Sequence, residues 1–367
     1  MELLTHSRSD CFKTCRKKHW FSYELGIRRD VDAKALRMGT AFHSGLEALG
    51  NGLSIDAALD LVHQEYAIRP EGFDEMDWLY EEESVVRLVC GYQWRWQDSP
   101  LKYIATERQF ELPLINPQTG KPSRNFNLAG KIDGIVELED GRIAVKENKL
   151  LGDDIGPDSE LWRRMRIDHQ ISLYVMASRR LGYQVDTVLY DATRKPTIKP
   201  TKVPILDDLG VKIVLDSAGN RVKTKDGKFW RQTGDTANGY VVQDRPMLAD
   251  EWGDKLNEDI GVRPDFYFQR IEVPRIDQDL EEYEADLWDI AKTIRDAQLS
   301  GRWFRTVNKQ TCSYCPYFDL CANRGFDPNG QLPLGYIRLD NRHPELKESH
   351  AGHSSAASEE SATAPAF

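Results

Sequence analysis

No apolar run in this 367-residue chain approaches the about 18 residues that cross a bilayer, which excludes a membrane-spanning helix as its organising feature. The opening residues, MELLTHSRSD, lack the charged-then-apolar pattern of a secretory signal, so a cytoplasmic protein with reduced thiols and no membrane partner is expected. There is no GxxxxGK phosphate loop and no helicase motif, so any unwinding of a duplex would have to come from a partner. No internal repeat is present, which removes the solenoid and propeller classes. Basic excess is missing too: the net charge is −10, so contact with nucleic acid is expected in a local groove, not over a whole face. What remains is a globular composition, 40% hydrophobic and 10% aromatic, with length for one large or two modest domains.

The most informative stretch is GKIDGIVELEDGRIAVKENKL, residues 130–150. Two alternating runs flank Asp140-Gly141, the signature of a β-hairpin. Its turn decides the chemistry. A two-residue loop would set Asp133 against Asn148 and send the carboxylates to opposite faces. A three-residue loop, Glu139-Asp140-Gly141 with Gly141 left-handed, sets Asp133 opposite Glu147 and pairs Ile135 with Val145; this is the expected register. Asp133, Glu147 and Lys149 then form one cluster. Carboxylate and carbonyl oxygens suit a hard cation such as Mg²⁺, and a lysine beside them can orient a water or bind a phosphate. A solvated hairpin face is the bland alternative.

Around this hairpin the pattern predicts helices over 9–25 (capped by Ser9 or Asp10), 34–49, 53–68 and 78–97, then a strand over 102–114. A helical stretch over about 159–181 and a strand over 185–193 follow the hairpin. The order indicates an α+β or mixed α/β fold. Residues 194–240 read as an inserted β-hairpin module carrying Lys223, Lys225 and Lys228, either a solvated loop or a flap that touches substrate. A helix over 247–260, a strand over 264–274 and a helix over 277–300 lead to the cysteines; beyond Pro328 periodicity fades into a Ser/Ala/Glu-rich tail expected to be disordered. The expected organisation is an N-terminal helical region (1–100), a core (101–193), the insert (194–240), a C-terminal helical region (241–327) and an extension (328–367).

Of six cysteines, three form Cys312-x2-Cys315-x5-Cys321, most of a four-thiolate site. Cys11 and Cys15, four apart and so on one face of the expected helix, are the candidates for the fourth ligand. Cys90 lies in an apolar helix and reads as a buried structural thiol. Spacing leaves an iron–sulfur cluster and structural zinc both open.

With these residues together, the chain resembles the PD-(D/E)XK nuclease superfamily, and most closely the RecB-like exonucleases that carry an iron–sulfur cluster, a group with AddB-type, CRISPR-adaptation and phage relatives. Gly39-Thr-Ala-Phe-His43 is similar to the family's helix with a metal-binding histidine, and Gly130-Lys-Ile-Asp133-Gly to its aspartate strand, with Ile132 where proline often stands. Glu147-Asn-Lys149 is similar to the acidic-x-Lys motif, and Gln170-Ile-Ser-Leu-Tyr174 to the following helix. The resemblance implies a restriction-endonuclease-like core: a mixed central sheet flanked by helices, its N- and C-terminal segments joined by a four-cysteine metal cluster. It implies a metal-dependent DNA exonuclease of phage or bacterial type, acting on single strands or ends, with a replication, recombination or helicase partner. His43, Asp133, Glu147 and the Asn148 carbonyl would hold Mg²⁺ or Mn²⁺; Lys149, Gln170 and Tyr174 would complete the catalytic set. Cys15, placed before the aromatic segment RKKHWFSY, would join Cys312, Cys315 and Cys321 around a 4Fe–4S cluster. Glu107 would have a positioning role at most, and the Asn148 side chain would not matter to the chemistry. Arg163, Arg164 and Arg166 could line the groove. Trp94, Trp96, Trp162 and Trp303 could stack on bases, with core packing the commoner role. The competing reading is a non-catalytic DNA-binding module with structural zinc.

Overall fold

The computed structural model describes residues 1–323 and 325–346. The chain enters on β1 (Glu2–Leu4) and α1 (His6–Thr14), whose cap is Thr5: its hydroxyl accepts the Arg8 N–H at 3.1 Å. The helix therefore starts before the expected Ser9 or Asp10 cap, and Ser9 is buried with its hydroxyl donating to the Thr5 carbonyl. It also stops sooner. Cys15 is extended (φ −165°, ψ 118°), and α2 (Arg16–His19), a π turn (Trp20–Glu24) and β2 (Ile27–Arg29) follow. The helix breaks at Cys15 itself: its N–H still donates to the Cys11 carbonyl at 3.0 Å, and its extended backbone ends the helix there.

Three helices come next: α3 (Lys34–Gly50), α4 (Ile55–Tyr66) and α5 (Glu75–Trp96), the last two capped by Ser54 and Asp74. Strands β3 (Lys102–Ile115), β4 (Pro122–Glu137) and β5 (Ile143–Leu151) follow. The stretch expected as one helix divides into α6 (Glu160–Met165) and α7 (His169–Arg180), because the Asp168 carboxylate accepts the Gln170 and Ile171 N–H groups and starts a new helix. After β6 (Val185–Arg194) the insert contributes β7 (Lys202–Pro204), β8 (Val214–Leu215), β9 (Val241–Val242) and β10 (Asp244–Pro246). Then come α8 (Ala249–Val262), α9 (Pro264–Tyr267), β11 (Phe268–Pro274) and α10 (Asp277–Ser300). Pro264 begins a helical turn where strand was expected to start, a position that suits its missing N–H.

The central sheet is mixed, in the order β1-β4-β5-β6-β11, with β3 on the other edge of β4. β3 and β11 are antiparallel to their neighbours, while β5 and β6 are parallel and joined through α6 and α7. β1 and β5 share one edge of β4: β1 pairs at 126–128 and β5 at 134–137. Residues 129–133 of β4 lie between them, outside both ladders. One core packs this sheet against α1, α7 and α10 through residues such as Ile132, Val145, Tyr174, Tyr283 and Leu287. A second, built on Phe42, Val85, Val89, Trp252 and Phe268, joins α3, α4, α5 and α8 to β11.

The N-terminal region and the last described residues meet. Short helices α11 (Lys309–Ser313) and α12 (Phe318–Ala322) precede β12 (Tyr336–Arg338), which pairs antiparallel with β2. Phe21, Ile27, Tyr317, Leu320 and Tyr336 form a small separate core there. So structure continues past Pro328 where periodicity in the sequence fades, since three residues of strand carry too short a pattern to detect. The Ser/Ala/Glu-rich tail from residue 347 lies outside the described residues. Among the described residues no helix is long and apolar enough to cross a membrane.

Candidate functional site

The β4–β5 ladder runs from Glu137↔Ile143 to Gly134↔Lys146, with Ile135 opposite Val145. Leu138 N donates to Arg142 O at 2.8 Å, and Gly141 has φ +83°, so the turn is the three-residue loop with a left-handed glycine. The next pair outward is Asp133 and Glu147, where pairing stops. On the other side of β4, Glu107 lies between the pairs Thr106↔Gly134 and Arg108↔Ile132, opposite Asp133. Three carboxylates thus form a row across three strands.

That row is also where strand alternation slips. Ile132 and Ile135, three apart, belong to the same core, as do Ala105 and Phe110, five apart. Glu107 has φ +47°, in the left-handed region that is costly for a residue with a Cβ. Gly130 is required by a neighbour: a Cβ there would lie 2.6 Å from Phe110 Cζ.

Asp133 Oδ2 accepts the Asn148 backbone N–H at 2.8 Å and lies 3.5 Å from His43 Nδ1 on α3. Lys149 Nζ sits 2.5 Å from Glu147 Oε1, while Glu147 Oε2 is buried with no hydrogen-bond partner. Burial, reinforced by Asp133 and opposed by Lys149, pushes the Glu147 carboxyl up to about 8. Burial also lowers His43, against the pull of Asp133, which leaves the imidazole neutral. For Lys149, burial is outweighed by Glu147, Tyr174 and Asp133, and the ammonium is stabilised. Gln170 Nε2 donates to Tyr174 Oη at 3.0 Å, so these two residues meet on one face of α7, and Tyr174 is buried.

Two acids received too little weight in the sequence. Glu107, in contact with Lys131, is pushed up to about 7 by burial and by Asp133. Glu47 is buried one helical turn after His43 and raises Glu107 through its charge. The His43-x3-Glu47 spacing was the available signal. His6, at the start of α1, feels the charges of Asp168 and Lys149, and burial lowers it to about 4; a lone histidine gave no pattern to find.

The reverse side of β5 carries a separate network. The Asn148 side chain is buried and accepts from Lys146 Nζ. Lys146 lies 3.4 Å from Asp191 Oδ2, which also takes Arg270 Nη2 at 2.9 Å and the Tyr92 hydroxyl at 2.6 Å. This buried network fastens β5, β6, β11 and α5 directly behind the carboxylates.

Of the four tryptophans, Trp162 is buried and donates to the Ile155 carbonyl, Trp303 stacks on His19, and Trp96 lies under Arg270 and Arg95. Only Trp94 among these four is exposed. Arg163 and Arg164 pair with Glu160 and Asp153 at the surface.

Cys15, Cys312, Cys315 and Cys321 line one cavity of about 160 Å³, with Lys17, Lys18 and Arg305 at its wall. Arg305 Nε is 3.1 Å from Cys321 Sγ, and Thr306 N is 3.4 Å from Cys15 Sγ. Cys11 does not line this cavity, and burial pushes its thiol up to about 12. Cys90 is half-buried in α5, and burial raises it as well. Among the described residues, no three His, Cys, Asp or Glu side chains are closed on a common point as metal ligands would be. The donors nonetheless fit. A buried, unpartnered carboxylate oxygen beside a second carboxylate and a neutral imidazole suits Mg²⁺ or Mn²⁺, and four thiols around one cavity suit a thiophilic metal.

Asp133 and Glu147-x-Lys149 thus stand on neighbouring strands of a mixed α/β sheet, at the break between β4 and β5. The chain belongs to the PD-(D/E)XK nuclease superfamily, whose family model matches residues 3–322. Membership points to metal-dependent nuclease chemistry on DNA. No curated protein matches the chain. Among solved structures, one titled "Crystal structure of SSO0001" is similar at 12% identity and a TM-score of 0.29, covering 85% of this chain and 94% of that one.

Proposed function

We propose that this protein is a DNA exonuclease of the RecB-like group that hydrolyses phosphodiester bonds at single strands or DNA ends. The observation that carries the reading is the buried, unpartnered Glu147 Oε2 beside Lys149, in register with Asp133. His43, Asp133, Glu147 and the Asn148 carbonyl would hold Mg²⁺ or Mn²⁺. When bound, that cation supplies Lewis acidity for an attacking water and positive charge for the phosphate. Lys149 Nζ, held by Glu147, orients the water or balances the charge that develops on the phosphate. Gln170 and Tyr174 position the strand, and Asp133 keeps β5 in place through the Asn148 N–H. Cys15, Cys312, Cys315 and Cys321 would hold a structural 4Fe–4S cluster that clasps the two ends of the chain; their common cavity supports that set.

The test uses anaerobically purified protein and DNA labelled at the 5′ or 3′ end, single- and double-stranded, in Mg²⁺, Mn²⁺ or EDTA, beside Glu147→Ala. Progressive shortening that needs the cation and is lost in the variant is the expected result. Retained DNA binding with no cleavage would replace the reading with a non-catalytic binding module. A colourless protein that contains zinc and no iron would replace the cluster with structural zinc.

A further inference from the structure

The insert after β6 is built unlike the rest of the molecule. Its antiparallel segments fold on four tight turns, each organised by an aspartate: Asp207, Asp216, Asp226 and Asp235 accept backbone N–H groups from their own turns. Arg221 pairs with Asp207 and Arg231 with Asp235. These four acids are therefore consumed internally, whereas Lys225 and Lys228 are not. Between Ser217 and Thr233 the sequence has five Lys/Arg residues against one acid, in a chain whose net charge is −10. Lys225 and Lys228, in the turn closed by the Lys223↔Trp230 bridge, are exposed and have no ion-pair partner among the described residues.

Between those lysines and Trp230 stands Phe229, 69% exposed. The Lys223↔Trp230 bridge and the Thr224 N to Phe229 O bond of 2.8 Å are local. Neither needs a phenyl ring. An aromatic ring held clear of any core and flanked by free ammonium groups is the chemistry that binds a single-stranded nucleic acid: a face for a base, charges for the phosphates on either side. Position agrees with this. The insert leaves the sheet at the C-terminal end of β6, where Lys195 N donates to Leu151 O at 2.7 Å, two residues beyond Lys149 on the parallel strand. It thus rises from the end of the sheet that carries Glu147 and Lys149.

We infer that the hairpin tip Lys223–Trp230 is a fingertip that binds single-stranded DNA outside the active site, with Phe229 stacking on a base and Lys225 and Lys228 on the adjoining phosphates. The inference rests on the nuclease reading above and extends it to the substrate path.

The test is fluorescence anisotropy of a labelled oligo-dT single strand with the full chain in EDTA, which separates binding from cleavage. Phe229→Ala should weaken binding by about 5- to 150-fold, the range of a lost base–aromatic stack, and Phe229→Trp should restore it. Lys225→Gln with Lys228→Gln should lower the slope of log affinity against log salt by about 1.4, roughly 0.7 for each phosphate contact on a single strand. Duplex binding should not respond to Phe229→Ala, because a paired base offers no free face. Variants that bind the single strand as the wild type does, or an equal loss on duplex, would overturn the fingertip. If the same wild type still cleaves DNA with Mn²⁺, the nuclease reading stands; if it neither binds nor cleaves, both fall.

Discussion

Asp133 and Asn148 are joined across the break in the sheet, the Asp133 carboxylate accepting the Asn148 backbone N–H at 2.8 Å just beyond the last ladder pair. The carboxylate therefore anchors the strand that carries Glu147 and Lys149 where backbone pairing ends. Asp133→Asn keeps an acceptor and removes the charge; Asp133→Ala removes both. Urea unfolding should show Asp133→Ala destabilised by about 1.5–3 kcal/mol, the range for a bond to a charged group, and Asp133→Asn by less. Cleavage should be lost in both.

Glu147 supplies a pH signature. Its folded-state pKa of about 8 lies above the ordinary 4.5. The stability of the protonated form is therefore complete below the ordinary value and is lost as pH rises through about 8. In EDTA, the melting temperature of the wild type should fall between pH 5 and pH 8.5, and Glu147→Gln should flatten that fall. An unchanged slope in the variant would assign the titration elsewhere.

Behind the site, charge counting separates two substitutions. Among the described residues, Asp191 is the single carboxylate that pairs with Lys146 and Arg270. Asp191→Asn leaves two buried cations uncompensated and should cost about 3–5 kcal/mol. Lys146→Met leaves Asp191 paired with Arg270 and should cost clearly less. Equal losses in chemical denaturation would refute this account of the network.

Gly130→Ala places a methyl group against the Phe110 ring and should destabilise by about 1–3 kcal/mol, the usual cost of overpacking a core. Combining it with Phe110→Leu should recover part of that loss. Strict additivity of the two would mean that they do not meet.

In the cysteine cavity, Cys15→Ser should reduce the bound iron or zinc measured by elemental analysis, whereas Cys11→Ser should leave it unchanged. Cys11 lies outside the cavity, and its thiol, pushed up to about 12, is a poor source of thiolate.

The register of the key hairpin was legible because it is local: Asp140-Gly141 fixes the turn, and the turn fixes which residue faces Glu147. The order of the sheet was not, because β1 pairs with β4 and β11 with β6 across long stretches of sequence. The helices α3, α4, α5 and α10 announced themselves through their period. What escaped had non-local or non-periodic causes. The break at Cys15 and the division at Asp168 interrupt segments whose composition is helical throughout. Glu107 matters because a left-handed residue in mid-strand brings it opposite Asp133, and strict alternation does not anticipate that. The buried network behind Asn148 also escaped, because Lys146 meets Asp191 and Arg270 far away in sequence. β12 is too short to leave a pattern and exists because β2 accepts it.

That pairing of β2 with β12, together with the cavity that Cys15 shares with Cys312, Cys315 and Cys321, gives the protein a timetable. Residues near the start must wait for partners some three hundred positions later. At about 5–20 residues per second of synthesis, the wait is about 15–60 s. Through that interval the rim of the molecule stays open on the ribosome, and a thiol that leaves the exit tunnel early has to be kept reduced until its companions arrive.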